Sequence, residues 1–350
     1  MVTIKDIAEE CNVSIATVSN VLNGKNKAGA DTEQRIWDAV KKYGYKPSPI
    51  AKGLRSKRTG HIGIIAEDIA HFSVPPIVEA VMNNLEQAGF QTILKNLRLY
   101  SRWSDSWFQD ESMVHSVADP AMDELRNMMV DGIIYIAVHS REVHIFPESF
   151  DIPVVMTYAL EKNPIVPSIV PDDEDAGYQA YQYLIQKGHD RIGIISGKAD
   201  NLHAILRMQG VRRAMEENGI PYEDALVRYG DWQIKQAYEV MAELADADVT
   251  AVFCMSDLMA VGAYQQIYTM GKYVGRDISV MGFDNNVFTD FFIPSLSTME
   301  LPLIEIGDRA ASCILERIQG NEAVKQEQVI KVPCRLLARD SVVKRQDSRR

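Results

Sequence analysis

Thr3-Ile4-Lys5-Asp6-Ile7-Ala8-Glu9-Glu10-Cys11-Asn12-Val13-Ser14-Ile15-Ala16-Thr17-Val18-Ser19-Asn20-Val21-Leu22-Asn23 reads as two short capped helices around a tight turn, the build of a helix-turn-helix DNA reader. Thr3 can cap the first helix, with Asp6 three residues on as a shorter stand-in for the Glu of a capping box. Ile4, Ile7 and Ala8 form its inner stripe. Asn12 closes the turn, Val13 packs inward, and Ser14 can cap a second helix whose buried side is Val18, Val21 and Leu22. On its other side Ile15, Ala16, Thr17, Ser19 and Asn20 are compact enough to enter a major groove. Any helical hairpin could carry the same apolar stripe, so the rest of the chain has to decide.

Working outward, Asp31 to Tyr43 predicts a third helix with Ile36, Trp37, Ala39 and Val40 as apolar positions and Gly44 as its stop. Lys46-Pro47-Ser48-Pro49 breaks regular structure. Ile50 to Arg58 is a short helical pattern with four cations, too short for a stable isolated helix. The charge splits at the same place. Residues 1–60 hold 11 Lys and Arg against 6 Asp and Glu, and the remainder holds 26 against 42. A basic head on an acidic body suits a DNA-contacting module joined to a body that avoids DNA.

From Gly60 short apolar strands alternate with longer helical patterns, the signature of parallel α/β architecture. His61-Ile62-Gly63-Ile64-Ile65-Ala66 recurs 130 residues on as Arg191-Ile192-Gly193-Ile194-Ile195-Ser196. Two doubly wound lobes facing one another across a cleft follow, since ligands of open parallel sheets bind beyond the carboxyl ends of the strands. Leu97 to Asp119, polar and aromatic with Tyr100, Trp103, Trp107 and Phe108, does not fit the alternation. It is either a loop reaching the cleft or a partner chain, or a variable surface insertion.

The 350 residues exceed one ordinary domain. Cys11, Cys254, Cys313 and Cys334 match no metal or redox spacing and read as reduced thiols of a cytoplasmic protein. No apolar run approaches a membrane span, and the first residues already belong to a helix, which leaves no signal peptide in view. The chain lacks a P-loop, a metal-ligand cluster, a Gly-x-Ser-x-Gly elbow and a Cys–His pairing at usable spacing. No enzyme chemistry, cofactor or metal is therefore expected. The seven histidines are scattered and expected to be mostly structural or exposed.

The order of parts resembles the LacI/GalR family of bacterial transcriptional regulators over nearly the whole chain. The likeness rests on Val2 to Ala8, Val13 to Asn23, Gly44-Tyr45-Lys46-Pro47 and Ala51-Lys52-Gly53-Leu54-Arg55. It implies an all-α helix-turn-helix head (1–46), a hinge (47–59), an effector-binding and dimerisation core (60–340) and a tail (341–350). The core would have two lobes of periplasmic-binding-protein type, the first about 60–160 and 291–320, the second about 161–290 and 321–340. It further implies base reading by Ile15, Ala16 and Asn20, with phosphate contact or support from Thr3, Ser14, Thr17 and Ser19. Ala51, Lys52, Leu54 and Arg55 would enter the minor groove, Leu54 as a wedge at a deformable base step. Gly29 and Ser48 stand where the family more often has Ser and Asn.

In the cleft, the resemblance places the effector against Arg207, Asp284 and Trp232, with Phe72, Ser73, Asp173 and Ser256 beside Asp257 as further lining. A guanidinium fork, an ionised carboxylate acceptor and a flat indole suit a sugar or sugar derivative. The implied function is a homodimeric regulator, usually a repressor, that binds a palindromic DNA operator and responds to a small carbohydrate effector. A solute-binding protein of a transport system would use the same body without the basic head.

Overall fold

The computed structural model describes residues 2–22, 24–25, 28–45, 58–320 and 328–345. They form two compact units, Met1–His61 with Met128–Asp131 and Ile62–Asn127 with Gly132–Arg350. Ala51, Lys52, Leu54 and Arg55 lie outside the described residues.

The first unit contains helices α1 (Ile4–Glu10), α2 (Ile15–Leu22) and α3 (Ala30–Tyr43). A full capping box starts α1: the Asp6 N–H donates to Thr3 Oγ1 at 3.4 Å and the Thr3 N–H donates to Asp6 Oδ2 at 2.7 Å. Asn12 takes φ 47° at the turn, a conformation that Asn tolerates better than most residues. Ser14 Oγ then accepts the Thr17 N–H at 3.0 Å to start α2. Gly44, at φ 58°, ends α3 in a left-handed cap. Ile7, Val18 and Ile36 are fully buried where the three helices meet, with Ala8, Cys11, Val21 and Ala39 around them. Two expectations change here. Trp37 is 45% exposed and turns outward, because the inward line of α3 runs through Ile36, Ala39 and Val40. Ser19 is buried, one residue after Val18 on the packed side of α2, so it is not part of the open face.

The second unit alternates strand and helix. Its first lobe holds β1 (His61–Ala66), α4 (Val74–Gln87), β2 (Gln91–Asn96), α5 (Leu99–Trp103), α6 (Glu111–Asn127), β3 (Gly132–Ile136), β4 (Glu142–Val143), β5 (Val154–Thr157), β6 (Leu160–Glu161) and β7 (Ser168–Pro171). The second continues with α7 (Asp173–Gln186), β8 (Ile192–Ser196), α8 (Leu202–Glu217), β9 (Val227–Tyr229), α9 (Ile234–Asp246), β10 (Ala251–Cys254), α10 (Asp257–Thr269), β11 (Ser279–Asp284) and β12 (Ser297–Glu300). The chain closes with α11 (Leu303–Gln319), β13 (Val329–Val332) and β14 (Arg335–Leu337). One sheet runs β13-β7-β5-β3-β1-β2 and the other β14-β12-β11-β10-β8-β9. The echoed strands β1 and β8 hold the same place, fifth in each order, which is the structural content of the repeat.

Strand pairing moves the expected lobe boundaries. β7 and β13 belong to the first sheet, paired parallel with Ile169 opposite Ile330. β12 belongs to the second, with Phe283 opposite Met299. The lobes therefore exchange after β7, after β12 and after β13, instead of near 161, 291 and 321. A four-residue apolar strand carries no mark of which sheet will accept it; the partner strand decides. The expected tail also shortens. Ser341 is fully buried, its carbonyl accepting the Val280 N–H at 3.0 Å, and the Arg345 N–H donates to Lys187 O at 2.8 Å. Leu97 to Asp119, read as irregular, contains α5, a 3-10 turn at Ser106–Gln109 and the start of α6. No helix among the described residues is long and apolar enough to cross a membrane.

Candidate functional site

On α2 the face away from the helical core presents Ile15, 47% exposed, with Ala16 also exposed and Thr17 and Asn20 half-buried. The Ser14 and Thr17 hydroxyls hydrogen-bond at 2.9 Å, which fixes both at the helix start. Lys42 Nζ and the Tyr43 hydroxyl both donate to the Glu10 carboxylate, at 2.7 and 2.9 Å, and tie the end of α3 to the end of α1. The start of α2 and the α1–α3 contact are thus held by groups that leave the outer face of α2 open.

The second site lies where the loops after β1, β3 and β5 meet the start of α8. Its centre is a buried polar group. Asp173, the first residue of α7, accepts Arg207 Nε–H and His203 Nδ1–H, each at 2.7 Å. Arg207 Nη1 also donates to the Met255 carbonyl at 2.5 Å, and its guanidinium carbon lies 3.4 Å from the centre of the Phe283 ring. Asp173, Arg207 and His203 are 1%, 2% and 5% exposed. Burial alone would raise the Asp173 pKa, but His203 and Arg207, which both donate hydrogen bonds to it, outweigh it and hold the carboxyl below its ordinary value. Burial opposes the Arg207 charge, and Asp173 with Asp284 more than restores it.

Close helix packing sets this geometry. A Cβ at Gly177 of α7 would lie 2.7 Å from Arg207 Cα, and one at Gly210 of α8 would lie 2.6 Å from the Tyr178 nitrogen. Two glycines therefore let the helices touch backbone to backbone, which brings Arg207 within reach of Asp173.

His203 also joins the lobes. Its Nε2 accepts the Ser140 N–H of the first lobe at 2.9 Å, so the proton given to Asp173 sits on Nδ1. The Tyr158 ring lies 5.2 Å from the imidazole.

Asp284 ends β11 at φ 115°. Burial and then the neighbouring Asp257 carboxyl push its pKa well above the ordinary value. It was expected as an acceptor-only carboxylate; this environment favours a proton on it, so it can also donate. Burial raises Asp257 to about 7, against hydrogen bonds from the Asn286 N–H at 2.8 Å and Thr298 Oγ1 at 2.7 Å. Trp232, at φ 62°, lies against Gly197 with its ring 5.9 Å from the Arg207 guanidinium carbon. Ser256 Oγ is engaged in capping α10, accepting the Met259 N–H at 3.2 Å. Ser73 is buried and hydrogen-bonds His71 Nδ1 at 2.9 Å, whereas Phe72 is exposed.

Three histidines expected to be scattered converge here. Burial and then His203 lower the His71 pKa to about 4; burial and then His71 and His203 lower His139 well below its ordinary value. His71 and His139 rings lie 4.9 Å apart. Sequence spacing could not reveal this, because 71, 139 and 203 follow three different strands. The one available signal was position, each shortly after a predicted strand end.

Residues 3–48 match the model of the bacterial regulatory proteins, lacI family, and residues 181–342 match a periplasmic binding protein-like domain. The HTH-type transcriptional repressor PurR of Salmonella arizonae is 32% identical over 349 residues, covering 98% of this chain and 97% of that protein. Catabolite control protein A of Priestia megaterium is 29% identical over 347 residues, covering 97% and 99%. Among solved structures, the lac repressor dimer bound to operator and the anti-inducer ONPF has a TM-score of 0.77 at 23% identity, covering 98% and 99%. The complex of the transcriptional regulator CelR with cellobiose has a TM-score of 0.63 at 26% identity, covering 97% and 100%. With a helix-turn-helix head, a two-lobed α/β body and a full-length relative at this identity, the chain belongs to the lacI family of bacterial regulatory proteins and is a DNA-binding transcriptional regulator, not an enzyme.

Proposed function

We propose that this regulator is a homodimeric repressor that binds a palindromic operator and is gated by a small neutral effector, a sugar or sugar derivative, held between the lobes. The observation that carries the reading is the bridge at His203, which couples a first-lobe backbone amide to the buried Asp173–Arg207 pair of the second lobe. A ligand that enters there has to exchange contacts with both lobes, and so binds their alternative arrangements with different affinity. That difference is what gating requires.

On DNA, Asn20 pairs with adenine N6 and N7, while Ile15 and Ala16 make apolar contact with thymine methyls. Thr3, Ser14 and Thr17 meet phosphates at the helix starts, and Ser19 supports the turn from inside. Ala51, Lys52, Leu54 and Arg55 kink the minor groove at the operator centre. In the cleft, Arg207, Asp284 and Trp232 hold the effector, with Phe72 and Asp173 nearby; Ser73 and Ser256 shape the walls. The lac repressor was solved with an operator and an anti-inducer, and the CelR structure contains cellobiose, which supports DNA and a carbohydrate as the two ligand classes.

One reader helix covers a half-site, so an operator palindrome calls for a two-fold dimer. Val287, Phe291 and Ile293, exposed to 89%, 83% and 93% on one loop after β11, supply an apolar patch that a second copy would cover. Selection of bound duplexes from a random library with the full-length chain, followed by competition with a sugar panel, tests the whole. A recovered palindrome released by a sugar supports it. Sequence-blind binding that no ligand changes overturns it.

A further inference from the structure

Leu97–Gln109, the stretch that fits neither the helix nor the strand pattern, leaves the carboxyl end of edge strand β2 and folds back across the end of β1. The Leu97 N–H donates to Ala66 O at 2.8 Å, the Leu99 N–H to Glu67 O at 3.0 Å, and the Tyr100 N–H to the Asp68 carboxylate at 3.1 Å. Arg102 Nε–H closes the turn on Leu97 O at 2.9 Å. The far end is anchored from beneath. Trp107 is buried, with the Arg141 guanidinium carbon 4.9 Å from its ring centre. Arg141 pairs with the fully buried Glu67 carboxylate, which also accepts the Tyr135 hydroxyl at 3.0 Å and the Val138 N–H at 2.9 Å. So fixed, the segment sets the Tyr100 ring nearly parallel to His71, 14° apart at 6.0 Å, and Phe108 edge-on to His139 at 5.5 Å. The Tyr100 hydroxyl and His139 Nε2 are hydrogen-bonded to each other. This wall directly faces the second lobe: Ser140, next to His139, donates its N–H to His203.

Resting on the reading of the cleft as the effector site, we infer that this segment is the first-lobe wall of that site. Tyr100 is then its specificity-determining residue, taking the flat face of an uncharged, hydroxyl-bearing ring and disfavouring acidic or phosphorylated counterparts. The buried side of the wall is aromatic, and His71 and His139 stay neutral in their buried setting; the segment's own charges, Arg98, Arg102 and Asp105, are exposed. Aromatic ring faces suit the C–H face of a sugar or the plane of a nucleoside base. Across the cleft the buried Arg207 already gives its Nε–H to Asp173 and an Nη1–H to Met255 O, and Arg141 belongs to Glu67. The other cations near this wall, Arg98 and Arg102 on the segment itself and Lys198 on the loop after β8, are exposed, so none supplies a buried counter-charge to an anion. A desolvated anion without a buried counter-charge binds poorly.

The test uses the full-length chain. Glucose, ribose, cellobiose and adenosine are compared by thermal shift and calorimetry with glucose 6-phosphate, ribose 5-phosphate, cellobionate and AMP. At least one neutral member should bind, at least tenfold tighter than its acidic counterpart, with the sugar and nucleoside arms identifying the ring class. On that ligand Tyr100→Phe, which keeps the ring but loses the hydroxyl's tie to His139, should weaken binding about three- to tenfold, the worth of one hydrogen bond. Tyr100→Ala should weaken it more than tenfold. Both variants should keep the far-ultraviolet circular dichroism of the wild type, which shows them folded. Preference for the acidic members, no binding by any neutral member, or Tyr100 variants of unchanged affinity overturns the inference. Failure to select an operator, by contrast, overturns the regulator reading itself. An operator released by a ligand whose affinity ignores Tyr100 overturns only the role of this wall.

Discussion

Replacing Asp173 by Asn should cost the body of the protein about 3 kcal/mol. Asp173 and Arg207 are 1% and 2% exposed and meet at 2.7 Å, so the substitution strands a cation that water cannot reach. Breaking a buried pair by removing one partner costs ~3–5 kcal/mol. The lower end applies because Arg207 keeps the Met255 carbonyl and the Phe283 ring, and Asn still offers an oxygen. Arg207→Met should cost a similar amount, and the double variant Asp173→Asn, Arg207→Met less than the sum, with a coupling of ~2 kcal/mol. Urea unfolding followed by circular dichroism and tryptophan fluorescence reads this as a lowered midpoint at constant slope. The sign with pH is also determined. The Asp173 pKa lies below its ordinary value of 3.8, so its stabilisation is present above that value and lost as pH falls through the lower folded one. The wild type and Asp173→Asn should therefore converge in acid. A cost below ~1 kcal/mol at neutral pH, or strictly additive single variants, would refute the argument that this pair holds the second lobe's site together.

Other consequences follow from single contacts. A Cβ at Gly197 would overlap the Trp232 indole, so Gly197→Ala should displace that ring, shift its fluorescence and weaken effector binding while leaving operator binding intact. His71 is held at about 4 against an ordinary 6.5, so the stability tied to its neutral form is complete above pH 6.5 and lost as pH falls toward 4. The loss should reach ~2 kcal/mol after allowing for the ring's partial exposure, and His71→Phe should flatten that part of a stability–pH curve. Ile7→Ala, in the fully buried centre of the head, should cost ~2–5 kcal/mol and abolish operator binding by unfolding it. Asn20→Ala should leave the thermal midpoint within a degree or two and weaken operator binding by ~1–3 kcal/mol, with relaxed base preference at one position per half-site in a selection experiment.

Much of the head was legible because its information is local. A capping residue, the residue three along and a turn Asn lie within one another's reach in the chain, and Thr3, Asp6, Asn12 and Ser14 take the roles their types predict. Trp37 and Ser19 escaped because each lies one position from the inward line of its helix, and a stripe read from residue type alone does not resolve one position. In the body, the alternation of strand and helix and the 130-residue echo were enough for two parallel lobes.

The amino-acid order by itself determined the element types, the basic head on an acidic body, and that Asp284 belongs at a strand end. Only the tertiary structure decided which sheet takes β7, β12 and β13, since those strands are too short to name their partners. It alone gathers His71, His139 and His203 from three loops, commits Ser256 to a helix cap, and lays Tyr100 across the end of β1. The physical reason is the same in each case: periodicity and capping depend on neighbours a few residues away, whereas a cleft is built from chain segments brought together by packing, and its charges and protons depend on groups distant in sequence.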